Sequence, residues 1–190
     1  MSQPLLDRLR DATRSEHDAL DALMRPQVLA GTKADYAGFL WRLHAFHTPI
    51  ESALQASTEL GACIPDLPSR RRVHLAREDL AFLNAREPSA RRSFELPSMG
   101  DLGEMVGVAY VFEGATLGGQ VLSRSLRARF GFRDVGALYL NAYGAKTGAM
   151  WKAFVNALAA RRWSEREERD AGAAATQTFL ALRAWLGARR

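Results

Sequence analysis

The run Tyr110-Val-Phe-Glu-Gly-Ala-Thr-Leu-Gly-Gly-Gln120 places Gly114, Gly118 and Gly119 inside a stretch whose other apolar residues recur at helical spacing. Each such glycine costs a helix roughly 1 kcal/mol against alanine, so keeping it calls for a steric reason. A helix bare at two positions four apart suits a flat, bulky ligand lying almost on its main chain, with the helix bending over it. Far upstream, Arg10, Arg14, His17 and Asp21 fall on one helical stripe. Together the two features suggest a planar anionic cofactor with a histidine-bound metal.

The rest of the chain is also patterned for helices. Residues 4–24 carry Leu5, Leu6, Leu9, Leu20, Leu23 and Met24, with Pro26 marking the exit. Thr32 and Asp35 open a second helix as N-cap and N3 acid; it runs toward Leu54 with a kink expected at Pro49. The span 57–68 reads as a connection, and a third helix is expected over 70–86. Pro88 and Pro97 bound a nonhelical passage before the glycine-bearing helix of 99–129, which Phe130-Gly131-Phe132 ends. A short piece over 135–142, a helix over 147–160 and a last one opened by the capping box Ser164/Glu167 complete the chain. Strand-type alternation is nearly absent. The expected fold is all-α, one domain over 1–190 with about seven helices.

The formal charge of +5 raises the question of nucleic acid, but acids are interleaved with the bases along most of the chain. The concentrations Arg70-Arg71-Arg72, Arg91-Arg92 and Arg189-Arg190 read as solvated surface, and no nucleic-acid-binding signature accompanies them. The single cysteine, Cys63, excludes an intramolecular disulfide and fits a reducing compartment. No signal-peptide core and no run of 18 uninterrupted apolar residues is present, so a cytoplasmic protein with no membrane partner is expected.

If His17 binds a metal through one ring nitrogen, the other needs an acceptor to fix the tautomer. Asp21 lies one turn away, with Glu16 and backbone carbonyls competing for that role. Arg10 and Arg14 stand where guanidinium groups would reach the carboxylates of a porphyrin-type edge. The plainer alternative is a surface histidine among weak surface ion pairs. For the glycines the alternative is close helix packing, in which Gly103, Gly107 and Gly114 would serve. They form no phosphate loop, since a preceding strand and a P-loop lysine are both missing. His44 and His47 are spaced as a metal pair but sit in an aromatic-rich segment around Trp41 and Phe46, which favours packing; His74 reads as solvent-facing.

Leu9-Arg-Asp-Ala-Thr-Arg-Ser-Glu-His17-Asp-Ala-Leu-Asp21 resembles the proximal signature of heme oxygenases, and Tyr110 to Gln120 resembles their distal-helix signature. Tyr143-Gly144-Ala-Lys-Thr-Gly148-Ala-Met-Trp151 is a third match. The likeness covers nearly the whole chain and is strongest to the bacterial branch that includes bacteriophytochrome-associated members. It implies a helical bundle holding heme between a proximal and a kinked distal helix. By that likeness His17 is the iron ligand, Arg10 and Arg14 the propionate partners and Asp21 an acid near the ligand. Gly114 and Gly118, with Gly119 beside them, let backbone approach heme and oxygen.

The implied reaction is oxidative opening of heme to biliverdin, with release of iron and carbon monoxide. Oxygen and electrons from an external ferredoxin or reductase would be consumed, and a bacteriophytochrome would take up the bilin. The animal-type distal aspartate is replaced by Ala115. Proton delivery then falls to water held by backbone or by Tyr143, Lys146 or Asn141. A protein that binds or transfers heme without degrading it is the alternative from another class, and a thiaminase-like nonheme member of the wider fold fits the motifs less well.

Overall fold

The periodicity read above folds into helices throughout the computed structural model, which describes residues 4–88 and 93–188 and has no strand among them. In chain order these are α1 (Pro4–Ala30), α2 (Lys33–Ala56), α3 (Thr58–Cys63), α4 (Val73–Phe82), α5 (Leu102–Phe130), α6 (Leu138–Asn141), α7 (Thr147–Ala159) and α8 (Glu165–Gly187). Short 3-10 turns at Leu67–Arg70 and Gly144–Lys146 precede α4 and α7.

Local chemistry sets most boundaries. Thr32/Asp35 and Ser164/Glu167 both form reciprocal capping boxes, and Asp101 caps α5 through the Glu104 amide at 3.0 Å. Gly131, at φ 70, closes α5 in the left-handed conformation that glycine adopts without strain.

Several boundaries differ from expectation: α4 ends at Phe82 and not 86, α5 starts at Leu102 and not 99, and four more have a visible cause. α1 does not leave at Pro26 but continues to Ala30, because Val28 is fully buried and Arg129 of α5 donates to the carbonyls of Leu29 and Ala30. That guanidinium satisfies acceptors that a helix end leaves orphaned. The span 57–68 is not all connection, since Ser57 accepts from the Leu60 amide at 3.1 Å and starts α3. α4 begins at Val73 rather than residue 70, where Glu51 of α2 accepts from the amides of Arg72 and Val73 at 2.6 and 3.0 Å. α6 is only four residues long, held by the buried Asp79 carboxylate, which accepts from the amides of Gly136 and Tyr139 at 2.8 and 2.9 Å.

α5 is the spine. By length and composition it could cross a membrane, yet 56% of its most apolar window is buried within the bundle. It packs on α8, α6, α1 and α7. A Cβ on Gly103 would lie 2.7 Å from the Glu167 carbonyl oxygen, and one on Gly107 would overlap the Ala171 carbonyl, so the N-terminal half of α5 lies backbone to backbone on α8. The helix-packing reading therefore holds for Gly103 and Gly107. α1 also lies on α8, burying Leu5, Leu9, Thr13 and Leu20, and this leaves its polar stripe outside.

Candidate active site

His17 projects from the outer side of α1 with its side chain 64% exposed. Its ring meets Phe179 of α8 edge-on at 6.0 Å, and Nδ1 lies 3.3 Å from Oδ1 of Asp18. Nε2 has no hydrogen-bond partner among the described residues. Asp21 does not hold the imidazole. It pairs instead with Arg25 at 2.7 Å, an acid-before-base i,i+4 arrangement that α-helices favour. Glu16, the other acidic competitor, pairs with Arg183 at 3.1 Å. Arg10 and Arg14 contact Asp7 and Asp11 at 3.7 and 3.3 Å. Exposed pairs of this kind contribute little, so both guanidinium groups are easily redirected to a stronger anion.

α1 and α5 touch where Tyr110 of α5 meets Thr13 of α1. Burial raises the Tyr110 hydroxyl pKa; the bond to Thr13 and the charge of Arg10 oppose that. Thr13 is one turn before His17, and Tyr110 one turn before Gly114.

The structure divides the three glycines of the distal run. A Cβ on Gly118 would meet no atom within 4 Å, and one on Gly114 would reach only the Trp151 ring, at 3.8 Å. Leu117 and Val121 extend this open face, 41% and 45% exposed. Gly119 belongs elsewhere: its Cβ would lie 2.5 Å from the Leu140 carbonyl oxygen, so it makes room for α6 and is not part of the open wall. The helix runs unbroken through all three.

Behind the glycines lies a buried polar cluster. Glu113 accepts from the Tyr143 hydroxyl at 2.8 Å and from the Arg70 guanidinium, which also bonds Asp66 at 2.7 and 2.8 Å and the Met150 carbonyl at 3.1 Å. Burial is the main reason the Tyr143 pKa is raised, and the nearby Glu113 carboxylate adds to it, so this hydroxyl keeps its proton. Gln120 donates to the Gly144 carbonyl at 2.5 Å and ties the Gly144–Lys146 turn to α5. Lys146 is exposed at the end of that turn, and Asn141 is half-buried at the end of α6.

The arginine run is not surface. Arg70 and Arg72 are 5% and 4% exposed, and only Arg71 faces water. Arg70, Arg72, Asp66 and Glu113 escape a sequence reading. The available signal was Glu113 itself, a charge inside the apolar run Val111-Phe112.

His44 and His47 are tied into the packing. His47 stacks on Phe112 at 4.1 Å and shares a 3.0 Å hydrogen bond with the Tyr139 hydroxyl, while Arg77 donates to His44 at 3.2 Å. His74 is exposed, as expected. Burial raises the Cys63 pKa, the opposite of an activated thiol.

No group of three or more His, Cys, Asp or Glu among the described residues could enclose a bare metal ion. A lone imidazole with a free Nε2 suits a metal that arrives with its own equatorial ligands, as in a porphyrin. Redirectable arginines for its carboxylates and a helix bare at Gly118 complete a donor set and a cradle that fit heme. A cavity of about 1330 Å³ lined by Trp41, His44, Phe82 and Trp185 touches neither wall.

Comparison with known proteins agrees with this geometry. The sequence pattern of the family described as heme oxygenase matches residues 3–188. Heme oxygenase PigA of Pseudomonas aeruginosa is 29% identical over 172 residues, covering 90% of this chain and 86% of its own. The NO- and CO-bound heme oxygenase of Neisseria meningitidis superposes with a TM-score of 0.81 at 26% identity, over 97% of this chain and 93% of that one. The Leptospira interrogans heme oxygenase shares the fold, with a TM-score of 0.77 at 18% identity over 98% of both chains.

Proposed function

The chain belongs to the heme oxygenase family, and we propose that it opens heme to biliverdin, releasing iron and carbon monoxide, with electrons from an external ferredoxin or reductase. The observation that carries this reading is the exposed imidazole of His17, its Nε2 uncommitted, on the helix that meets the glycine-bearing α5. Bound heme supplies the redox chemistry and is itself the substrate.

The residues of the chain bind, orient and move protons around it. His17 offers the Nε2 lone pair while Asp18 accepts from Nδ1–H and fixes the tautomer. Arg10 and Arg14 give up their exposed partners for the propionates. Gly114 and Gly118 bring main chain close to the macrocycle, and Leu117 and Val121 keep bulk water from that face. Ala115 cannot order water, so in this reading the α5 main chain holds it. Tyr143 and Glu113 are a hydroxyl–carboxylate pair next to Gly114 that would pass protons toward it, and Lys146 is an exposed cation on the adjoining turn.

The likeness to the bacteriophytochrome-associated branch supports a bacteriophytochrome as acceptor of the bilin, in a reducing cytoplasm. The test is anaerobic loading with heme, then reductant and oxygen, with product mass and spectrum recorded. Biliverdin and carbon monoxide are the expected products. A Soret band that persists under these conditions overturns the reading in favour of a heme carrier.

A further inference from the structure

α2 turns one face away from both the His17 stripe and the glycine wall, and small residues stand among aromatic ones there. Ala34, Ala37 and Ala45 leave room, and a half-open cavity of about 1330 Å³ lies between that face, the chain that follows α4 and the end of α8. Its rings are held in place. Trp185 of α8 donates from Nε1 to the Arg42 carbonyl at 2.8 Å, and Phe94 packs on both Trp185 and Phe46, at 4.9 and 4.8 Å. Trp41 meets His44 edge-on at 5.5 Å, and Phe82 meets Phe132 edge-on at 5.8 Å. Fixed aromatic walls receive a flat ring system by stacking or edge contact at small ordering cost, an advantage an acyl chain does not share. The volume exceeds the roughly 300–1,000 Å³ of sites for drug-sized ligands, which calls for several fused rings.

The charge in the lining is one-sided. Lys33, Arg42 and Arg86 face a single acid, Glu87. Arg86 is presented by the way α4 stops: Asn84 takes the left-handed conformation at φ 50, and the Ala85 amide donates back to the Leu80 carbonyl at 3.0 Å. Neither Arg86 nor Lys33 pairs with a carboxylate among the described residues, and the Lys33 ammonium rests over the Phe132 ring at 5.5 Å. His44 adds a donor. Burial and the neighbouring Arg77 lower its pKa, so the ring is neutral at pH 7; Arg77 donates to Nε2 at 3.2 Å, which leaves the ring proton on Nδ1. Positive charge and N–H donors beside apolar rings suit an anion with a flat apolar body.

We propose that this cavity is a second ligand site, separate from the glycine wall, for a polycyclic aromatic carboxylate: Trp41 and Trp185 take the rings, and Arg86 with Lys33 takes the carboxylate. Nothing in this depends on heme.

The four tryptophans resolve the test by site, because Trp41 and Trp185 line the cavity, Trp151 stands beside Gly114 and Trp163 belongs to neither place. Indole N–H resonances of the whole chain are followed in proton–nitrogen correlation spectra as pyrenebutyrate is added, and in parallel with neutral pyrenebutanol and with palmitate. Pyrenebutyrate is expected to shift Trp41 and Trp185 saturably while Trp163 stays still, and to do so equally after zinc protoporphyrin has been added. Pyrenebutanol and palmitate bind more weakly. Arg86→Gln weakens pyrenebutyrate by about threefold, the effect of one exposed ion pair, and leaves pyrenebutanol unchanged. Glu87→Gln tightens pyrenebutyrate, and Arg162→Gln, outside the cavity, changes nothing. All three side chains are exposed, so the variants fold. Shifts confined to Trp151 put the probe on the glycine wall and overturn the proposal, as does equal binding of pyrenebutanol or palmitate. Movement of Trp41 and Trp185 on dilution alone gives the cavity to a second copy of the chain and overturns it too. Because no turnover is read, failure of the heme reading leaves each of these outcomes decisive.

Discussion

The hydroxyl of Tyr143 donates to Oε1 of Glu113 at 2.8 Å, joining the turn before α7 to the spine helix one residue ahead of Gly114. Glu113 keeps its bond to Arg70 when that hydroxyl is removed. Tyr143→Phe is thus expected to cost about 1–2 kcal/mol, seen as a fall of a few degrees in Tm. In the proposed proton route it also slows turnover several-fold with heme affinity unchanged. Turnover equal to wild type would remove Tyr143 from that route.

His17 and its neighbours separate ligation from folding. The side chain is exposed enough that His17→Ala should shift stability by less than about 0.5 kcal/mol. Ferric heme added to it should lose the axial-imidazole signature in absorption and electron paramagnetic resonance spectra. Asp18→Asn weakens the acceptor at Nδ1 and is expected to perturb those spectra, whereas Asp21→Asn, which breaks only the Arg25 pair, leaves them alone. The reverse ranking would return the tautomer-fixing role to Asp21.

Alanine at two glycines of one helix should have opposite effects. At Gly107 a methyl group collides with the Ala171 main chain, and the loss is expected to be about 1–3 kcal/mol or more by thermal or denaturant unfolding. At Gly118 a methyl group meets nothing, so folding should hold or gain up to about 1 kcal/mol from helix propensity. Heme titration should nonetheless show weaker binding to Gly118→Ala. Full affinity in that variant would mean that the macrocycle does not lie on this wall.

Acid should unfold the protein partly through His47. Burial, reinforced by Arg72 and His44, lowers its pKa well below the ordinary 6.5. Between those two values the unfolded chain binds the proton and the folded chain does not, so the stability His47 contributes is present above about pH 6.5 and is lost as pH falls below it. Denaturant unfolding from pH 7.5 to 5 should show that loss in wild type and a flatter profile in His47→Gln. Equal slopes would assign the acid sensitivity to other groups.

The helices were largely legible because their causes are local. Both capping boxes, the Gly131 end of α5 and the amphipathic face of α1 follow from residues within one or two turns of each other. Pro26 misled because the contact that carries α1 past it comes from Arg129, distant in sequence.

What the sequence by itself determined is therefore the set of helices, the stripe bearing His17 and the motif that places the chain among heme oxygenases. The tertiary structure decided which side each residue serves. It put Gly119 against Leu140 while leaving Gly118 open, gave Asp21 to Arg25, and buried Arg70 and Arg72 against Glu113 and the Phe112 carbonyl. The physical reason is that helix propensity and capping are settled within a few residues, whereas burying a charge or baring a backbone depends on partners that only the packed bundle brings within reach.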